Sequence, residues 1–270
     1  MGHVVPKDAK QLKKRIDRNK GGSGGRSMGV MAQGSRRNQS ISNVSRLKVL
    51  GGTHRGRLIS SPDVYLRPMM GKVKEALFSQ LRSFGLYTAR HGPVKHLDCF
   101  AGSGSVGLEG LSRSLHATGG GSATFVDLAD DCVATIGRNL RDFDMAANGR
   151  AVKADVLRAL RDPSGAGLGG GGKGYDLVTI TPPYEEVVYK DVMDAVCGSP
   201  LVVQDTVVVV EYPVELGSMP HVLRREGGGG RTLVGVRNRK YGRTVVAIYV
   251  ADPTGKLDAE SAPEEFITLE

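Results

Sequence analysis

The sequence predicts an α/β domain built on a mostly parallel sheet and closed by an antiparallel hairpin. Three observations lead there. β-Branched apolar runs alternate with amphipathic stretches from Val94 onward. A glycine-rich turn, "AGSGSVG", follows the first of those runs and opens a helix. The segment "RTLVGVRNRKYGRTVVAIYV" then ends the pattern as two strand-like runs about a tight turn.

Each element has a local reason. Residues 1–45 are rich in Gly, Ser, Lys and Arg without sustained periodicity, and read as a disordered basic leader with at most a short helix around "AKQLKKRIDRNK". Residues 46–90 form a separate appendage. There "RLKVLGG" and "RGRLISSP" read as two short strands about a Gly-Gly turn. "MMGKVKEALFSQLRSFG" follows as a helix with Val73, Leu77, Leu81 and Phe84 on one face. Within 91–252, "VKHLDCF", "SATFVD", "RAVKAD", "YDLVTI" and "DTVVVVEY" read as strands. "SVGLEGLSRSL", "DDCVATIGRNLRDF" and "VYKDVMDAVC" read as helices. Three glycine-rich stretches fall between elements as loop expansions, and residues 253–270 form an acidic tail.

Charge is sorted along the chain. The net charge of +9 resides in residues 1–46, which hold eleven Lys or Arg against Asp8 and Asp17. Residues 47–90 carry eight basic and two acidic residues, and residues 231–243 carry five basic residues and no acid. A basic arm and two basic patches on a neutral body point to a polyanion partner. The apolar runs are too short to span a membrane. Cys99, Cys132 and Cys197 lack CxxC or Cys/His ligand spacing, so they read as buried structural thiols in a reducing compartment, with no metal site.

Gly102, Gly104 and Gly107 stand between a strand and a helix, where bare backbone can approach a ligand and helix amides face electron-rich groups. Asp127 follows Gly107 by twenty residues and can take both hydroxyls of a ribose. That spacing serves a dinucleotide as well as S-adenosylmethionine. Asp98, at the end of the first strand, favours the latter: it suits a cationic amino acid group and would oppose a pyrophosphate. Asp155, ending "VKAD", can accept from an adenine amine.

The segment "YDLVTITPPYEEV" ends a buried strand in Thr181-Pro182-Pro183-Tyr184. Two prolines make a stiff turn whose carbonyls point outward. Pro182 can then accept from an exocyclic base amine, and Tyr184 offers a face for an unstacked base, worth about 1–3 kcal/mol.

This corner resembles the Asp/Asn-Pro-Pro-Tyr motif of amino-methyltransferases. With "LKVLGGTHRGRLISSP", "LRPMMGKVKEALFSQL", "LDCFAGSGSVGLEGLSR", "TFVD" and "RKYGRTVVAIY" in order, residues 46–250 resemble the RsmD-type guanine-N2 methyltransferases of small-subunit ribosomal RNA. The resemblance implies a class I, Rossmann-like methyltransferase fold with seven strands and S-adenosyl-L-methionine as donor. It implies an enzyme acting as a monomer, without membrane, on ribosomal RNA or an assembling subunit. Asp98, Gly102 and Gly104 would hold the methionine end of the donor, Asp127 its ribose and Asp155 its adenine. Thr181, Pro182, Pro183 and Tyr184 would receive the guanine. Arg55, Arg57, Arg67, Lys72, Lys74, Arg239, Lys240 and Arg243 would lie on RNA phosphates. Two positions depart from the pattern: Thr181 stands where the family has Asp or Asn, and Met69 where it has Thr. Such departures, with the basic leader, resemble plant and algal relatives and imply a plastid location. Thr181 also leaves open a non-catalytic ribosome-assembly factor, or an amino-methyltransferase for DNA adenine or protein glutamine.

Overall fold

The computed structural model describes residues 47–64, 66–168 and 174–267, so the leader and its short helix lie outside the described residues. Eight strands form one sheet in the order β3-β2-β1-β4-β5-β8-β7-β6. β1 (Lys95–Cys99), β2 (Ser122–Asp127), β3 (Gly149–Lys153), β4 (Tyr175–Ile180) and β5 (Val202–Pro213) run parallel. β6 (Val222–Leu223), β7 (Leu233–Tyr241) and β8 (Thr244–Ala251) are antiparallel, and β8 inserts between β5 and β7. The two-residue edge strand β6 is the eighth strand beyond the seven expected. Among the described residues five α-helices accompany the sheet: α1 (Gly71–Ser83), α2 (Ser105–Thr118), α3 (Asp130–Asp142), α4 (Val156–Arg161) and α5 (Tyr189–Gly198).

The central strands are mostly apolar on both faces because helices cover both sides of the sheet. Val178, Ile180, Val208, Val210 and Tyr212 pack with Leu160 of α4 and with Val192 and Val196 of α5. On the other face Leu177, Val207 and Val209 meet Val73, Leu77, Phe78 and Leu81 of α1. Met69, the residue that departs from the family pattern, is buried in this second cluster. All three cysteines are free and buried, and burial pushes the Cys132 and Cys197 thiols up to about 12 and about 11.

The N-terminal appendage keeps the expected short antiparallel pairing: Lys48 bridges Leu58, Val49 N–H donates to the Arg57 carbonyl at 3.0 Å and Ile59 N–H to the Leu47 carbonyl at 2.8 Å, and the segment is bonded to α2 as well. Glu109 on α2 accepts Leu50 N–H at 2.6 Å and Arg113 Nε at 2.7 Å, with Lys74 Nζ 3.6 Å away. Lys74 Nζ also donates to the carbonyls of Lys48 and Ser105, at 3.1 and 3.3 Å. Lys74 is therefore an interior brace, and its expected place on RNA is corrected: at 2% exposure it cannot reach a phosphate. The acidic C-terminal segment folds back on the sheet. Leu257 and Phe266 are buried, and Asp258 N–H donates to the Phe84 carbonyl at 3.0 Å.

Glu109→Ala leaves the Lys74 ammonium buried without its carboxylate. We expect it to destabilise the fold by about 3–5 kcal/mol, measured by urea unfolding.

Candidate active site

The chain turns sharply out of β1. Phe100, Gly102 and Gly104 have φ of 58°, 56° and 76°, so a bulky residue shares the left-handed region with two glycines. The turn is pinned from two sides. Gly102 N–H donates to Asp127 Oδ2 at 2.8 Å, and Gly107 N–H, in the first turn of α2, donates to Asp98 Oδ2 at 2.8 Å. A Cβ on Gly107 would collide with the Phe125 ring and stand 2.9 Å from Asp98, so that glycine brings α2 down onto the sheet.

Asp98 does not line the open cleft. It is 1% exposed, and Thr179 Oγ1 donates to its other oxygen at 2.7 Å. The expected contact with a cationic amino acid group is corrected: Asp98 props the glycine turn from beneath. The chain of bonds continues through Thr179 to His96 Nε2 at 2.9 Å. Burial holds His96 down near 3, and so neutral, and pushes Asp98 up to about 7, against the Thr179 and Gly107 hydrogen bonds. Neither His96 nor Thr179 is singled out by the sequence, because both sit inside strands that read as core.

Asp127 lies half-buried at the end of β2 and also accepts Ala129 N–H at 2.9 Å. Next to it Leu128 is 64% exposed, an apolar surface at the sheet edge suited to the face of a flat ring. Asp155 is exposed and caps α4 by accepting Arg158 N–H at 2.8 Å. The cap uses Oδ1 alone, so capping leaves Oδ2 for the adenine contact expected from the sequence.

The diproline corner leaves β4 beside this turn. Cys99 and Ile180 are register partners, and Thr181 N–H reaches the Cys99 carbonyl at 3.4 Å. Thr181 Oγ1 makes one long bond to the same carbonyl, 3.5 Å. Pro182 is buried, Pro183 exposed, and the Pro182 carbonyl accepts no hydrogen bond among the described residues. Tyr184 is held by its hydroxyl, which donates to Glu211 Oε1 at 2.7 Å and lies 3.0 Å from Thr244 Oγ1. Arg67 lies over the ring, its guanidinium carbon 4.7 Å from the centroid, so one face of Tyr184 is already covered. Glu211 was missed because it ends an apolar run in sequence; its burial and its tyrosine partner are visible only in the fold.

Of the remaining basic residues, Arg55 and Lys72 are exposed. Arg57 lies over the Phe143 ring and donates to the Asp142 carbonyl. Arg239 pairs with Glu265 at 2.9 Å, Arg243 Nε donates to Glu215 at 2.9 Å, and Lys240 is exposed at the end of β7. The charge seen in sequence is thus partly neutralised where it meets the protein's own acids.

A family profile described as Conserved hypothetical protein 95 matches residues 47–250. The chain belongs to this family. It is 28% identical over 204 residues to "Putative rRNA methyltransferase YlbH" of Bacillus subtilis, across 75% of this chain and 98% of that protein. It is 28% identical over 173 residues to "Ribosomal RNA small subunit methyltransferase D" of Escherichia coli K12, across 64% of this chain and 77% of that protein. Among solved structures, "Putative methyltransferase yhhF" from Escherichia coli superposes with a TM-score of 0.58 at 23% identity, covering 77% of this chain and 99% of that one. The methylase HI0767 from Haemophilus influenzae gives 0.55 at 20%, covering 76% and 98%.

The fold is that of the class I methyltransferases, a fold whose usual methyl donor is S-adenosylmethionine. The residues fit that group. The left-handed Gly102–Gly104 backbone leaves a surface without side chains, Asp127 offers carboxylate oxygens for a ribose, and Leu128 offers a wall for the adenine. Bound there, the cofactor supplies an electrophilic sulfonium methyl group.

Two outcomes follow for this family member. Asp98 binds its proton more tightly in the folded chain than in the unfolded one, from an ordinary 3.8 to about 7. Its contribution to stability therefore declines as pH rises from about 4 to 7, and Asp98→Asn should flatten that slope in urea midpoints. Asp127→Ala removes the carboxylate offered to a ribose and unpins Gly102, and S-adenosylmethionine affinity should fall about tenfold or more by calorimetry.

Proposed function

We propose that this chain methylates the exocyclic N2 of a guanine in small-subunit ribosomal RNA. One observation carries the reading: the glycine turn of β1 and the diproline corner of β4 leave the same sheet edge on adjacent, register-paired strands. Ligands bind outside the carboxyl ends of such strands, where the connection order reverses, and here it reverses between β1 and β4. Methyl donor and acceptor then meet at one point. The names of the bacterial relatives support ribosomal RNA as the source of the acceptor.

The chemistry asked of the corner is positioning. A base amine is a weak nucleophile because its lone pair is delocalised into the ring. Thr181 Oγ1 and the Pro182 carbonyl can each accept one of its hydrogens, which turns the lone pair out of the ring plane. Tyr184, anchored through its hydroxyl, supplies a rigid face for the base. The exposed Arg55 and Lys72 supply phosphate contacts.

A second reading rests on Thr181, a neutral group with a single weak bond: the chain binds RNA and cofactor without catalysis. Methyl transfer to small ribosomal subunits, with mass spectrometry of the digested nucleosides, separates the two. We expect N2-methylguanosine from the wild type, and about tenfold slower transfer with unchanged cofactor affinity from Thr181→Val. Transfer by Thr181→Asp alone, with an inactive wild type, would establish the binding protein instead.

A further inference from the structure

The cluster around Tyr184 holds more than a stacking platform requires. Glu211 follows Val210, the register partner of Ile180, so it stands beside Thr181 on the neighbouring strand. It is 6% exposed. Its Oε1 accepts from Tyr184, while Oε2 has no hydrogen bond among the described residues. Burial makes the charged form costly, and the nearby Arg67 offsets that cost. Thr244 already lies within hydrogen-bonding distance of the same phenol. Among the described residues Oε2 is not one of the enclosed side-chain atoms left without a partner, so it stands open to a ligand at the corner, which anchoring a tyrosine does not require.

We propose that Glu211 reads the ring N1–H of the guanine at the diproline corner, with Arg67 facing the adjacent O6. The inference rests on the guanine reading above and names the residue that selects the base. Guanine presents two neighbouring donors, the N2 amine and N1–H, followed by the O6 acceptor. Neighbouring strands lie about 4.8 Å apart, so Thr181 and Glu211 can take the two donors together. Adenine would turn the lone pair of its N1 toward the same carboxylate, leaving both groups unpaired, and a site of this kind rejects such a base strongly. Arg67 is exposed and lies over Tyr184, so its guanidinium can shift along the ring as the base enters.

The test uses the full chain saturated with S-adenosylhomocysteine and three uridine pentamers whose central base is guanine, adenine or 1-methylguanine. We expect the wild type to bind the guanine probe about tenfold more tightly than either other. Glu211→Gln should bind all three within about twofold. Tyr184→Phe, which removes the shared hydroxyl, should weaken all three and keep their order. Equal binding by the wild type overturns the proposal without recourse to any variant. So does an order retained by Glu211→Gln, or one that Tyr184→Phe erases equally, since Glu211 would then act only on the tyrosine. Methyl transfer to small ribosomal subunits is measured in parallel. Transfer without base preference removes the role of Glu211 alone, and base preference without transfer removes the catalytic reading alone.

Discussion

The arrangement depends on one buried carboxylate. Asp98 ends β1, yet its oxygens bind the neighbouring strand through Thr179 and the first turn of α2 through Gly107. Those two bonds set the height of α2 over the sheet and with it the position of the glycine turn. An unpaired carboxylate at 1% exposure would cost several kcal/mol. Here both oxygens are used, and a neutral His96 extends the network away from the cleft. The same constraint ties the two halves of the chemistry together. The glycine turn and the diproline corner leave adjacent strands, one residue beyond the register pair Cys99 and Ile180.

A second brace works at the other end of the appendage. The Lys74–Glu109 pair is enclosed and fully bonded, and it fastens the segment before α1 to α2. Because that segment is fixed at Lys48 and again at Met69, Arg67 is delivered to the Tyr184 ring. The appendage therefore forms part of the wall of the candidate site. Basic residues divide by environment: Lys74 serves the interior, Arg239 and Arg243 meet acids of the same chain, and Arg55 and Lys72 face solvent.

Most polar groups at this edge have partners; among the described residues His96 Nδ1 is enclosed without one, and two further groups stand open at the corner. The Pro182 carbonyl and Glu211 Oε2 accept no hydrogen bond among the described residues, and both belong to the corner beyond β4 or to the strand beside it. Polar groups of that kind persist in a folded protein when a ligand completes them.

Sequence alone determined the alternation of strands and helices, the glycine turn, the acidic ends of the first three strands and the diproline corner. Hydrophobic periodicity and the backbone demands of glycine and proline are local properties, and SATFVD and YDLVTI coincide with β2 and β4 residue for residue. Which of two roles a polar residue takes was decided by tertiary structure. Asp98 and Asp127 look alike in sequence, each ending a strand, yet one lies beneath a helix and the other opens to the cleft. Lys74 and Lys72 sit two residues apart on one helix and face opposite environments. Glu211 acquires its partners, Tyr184 and Val246, from residues 27 and 35 positions away. Charge burial and the partners of a side chain depend on contacts distant in sequence, and only the packed sheet brings those together.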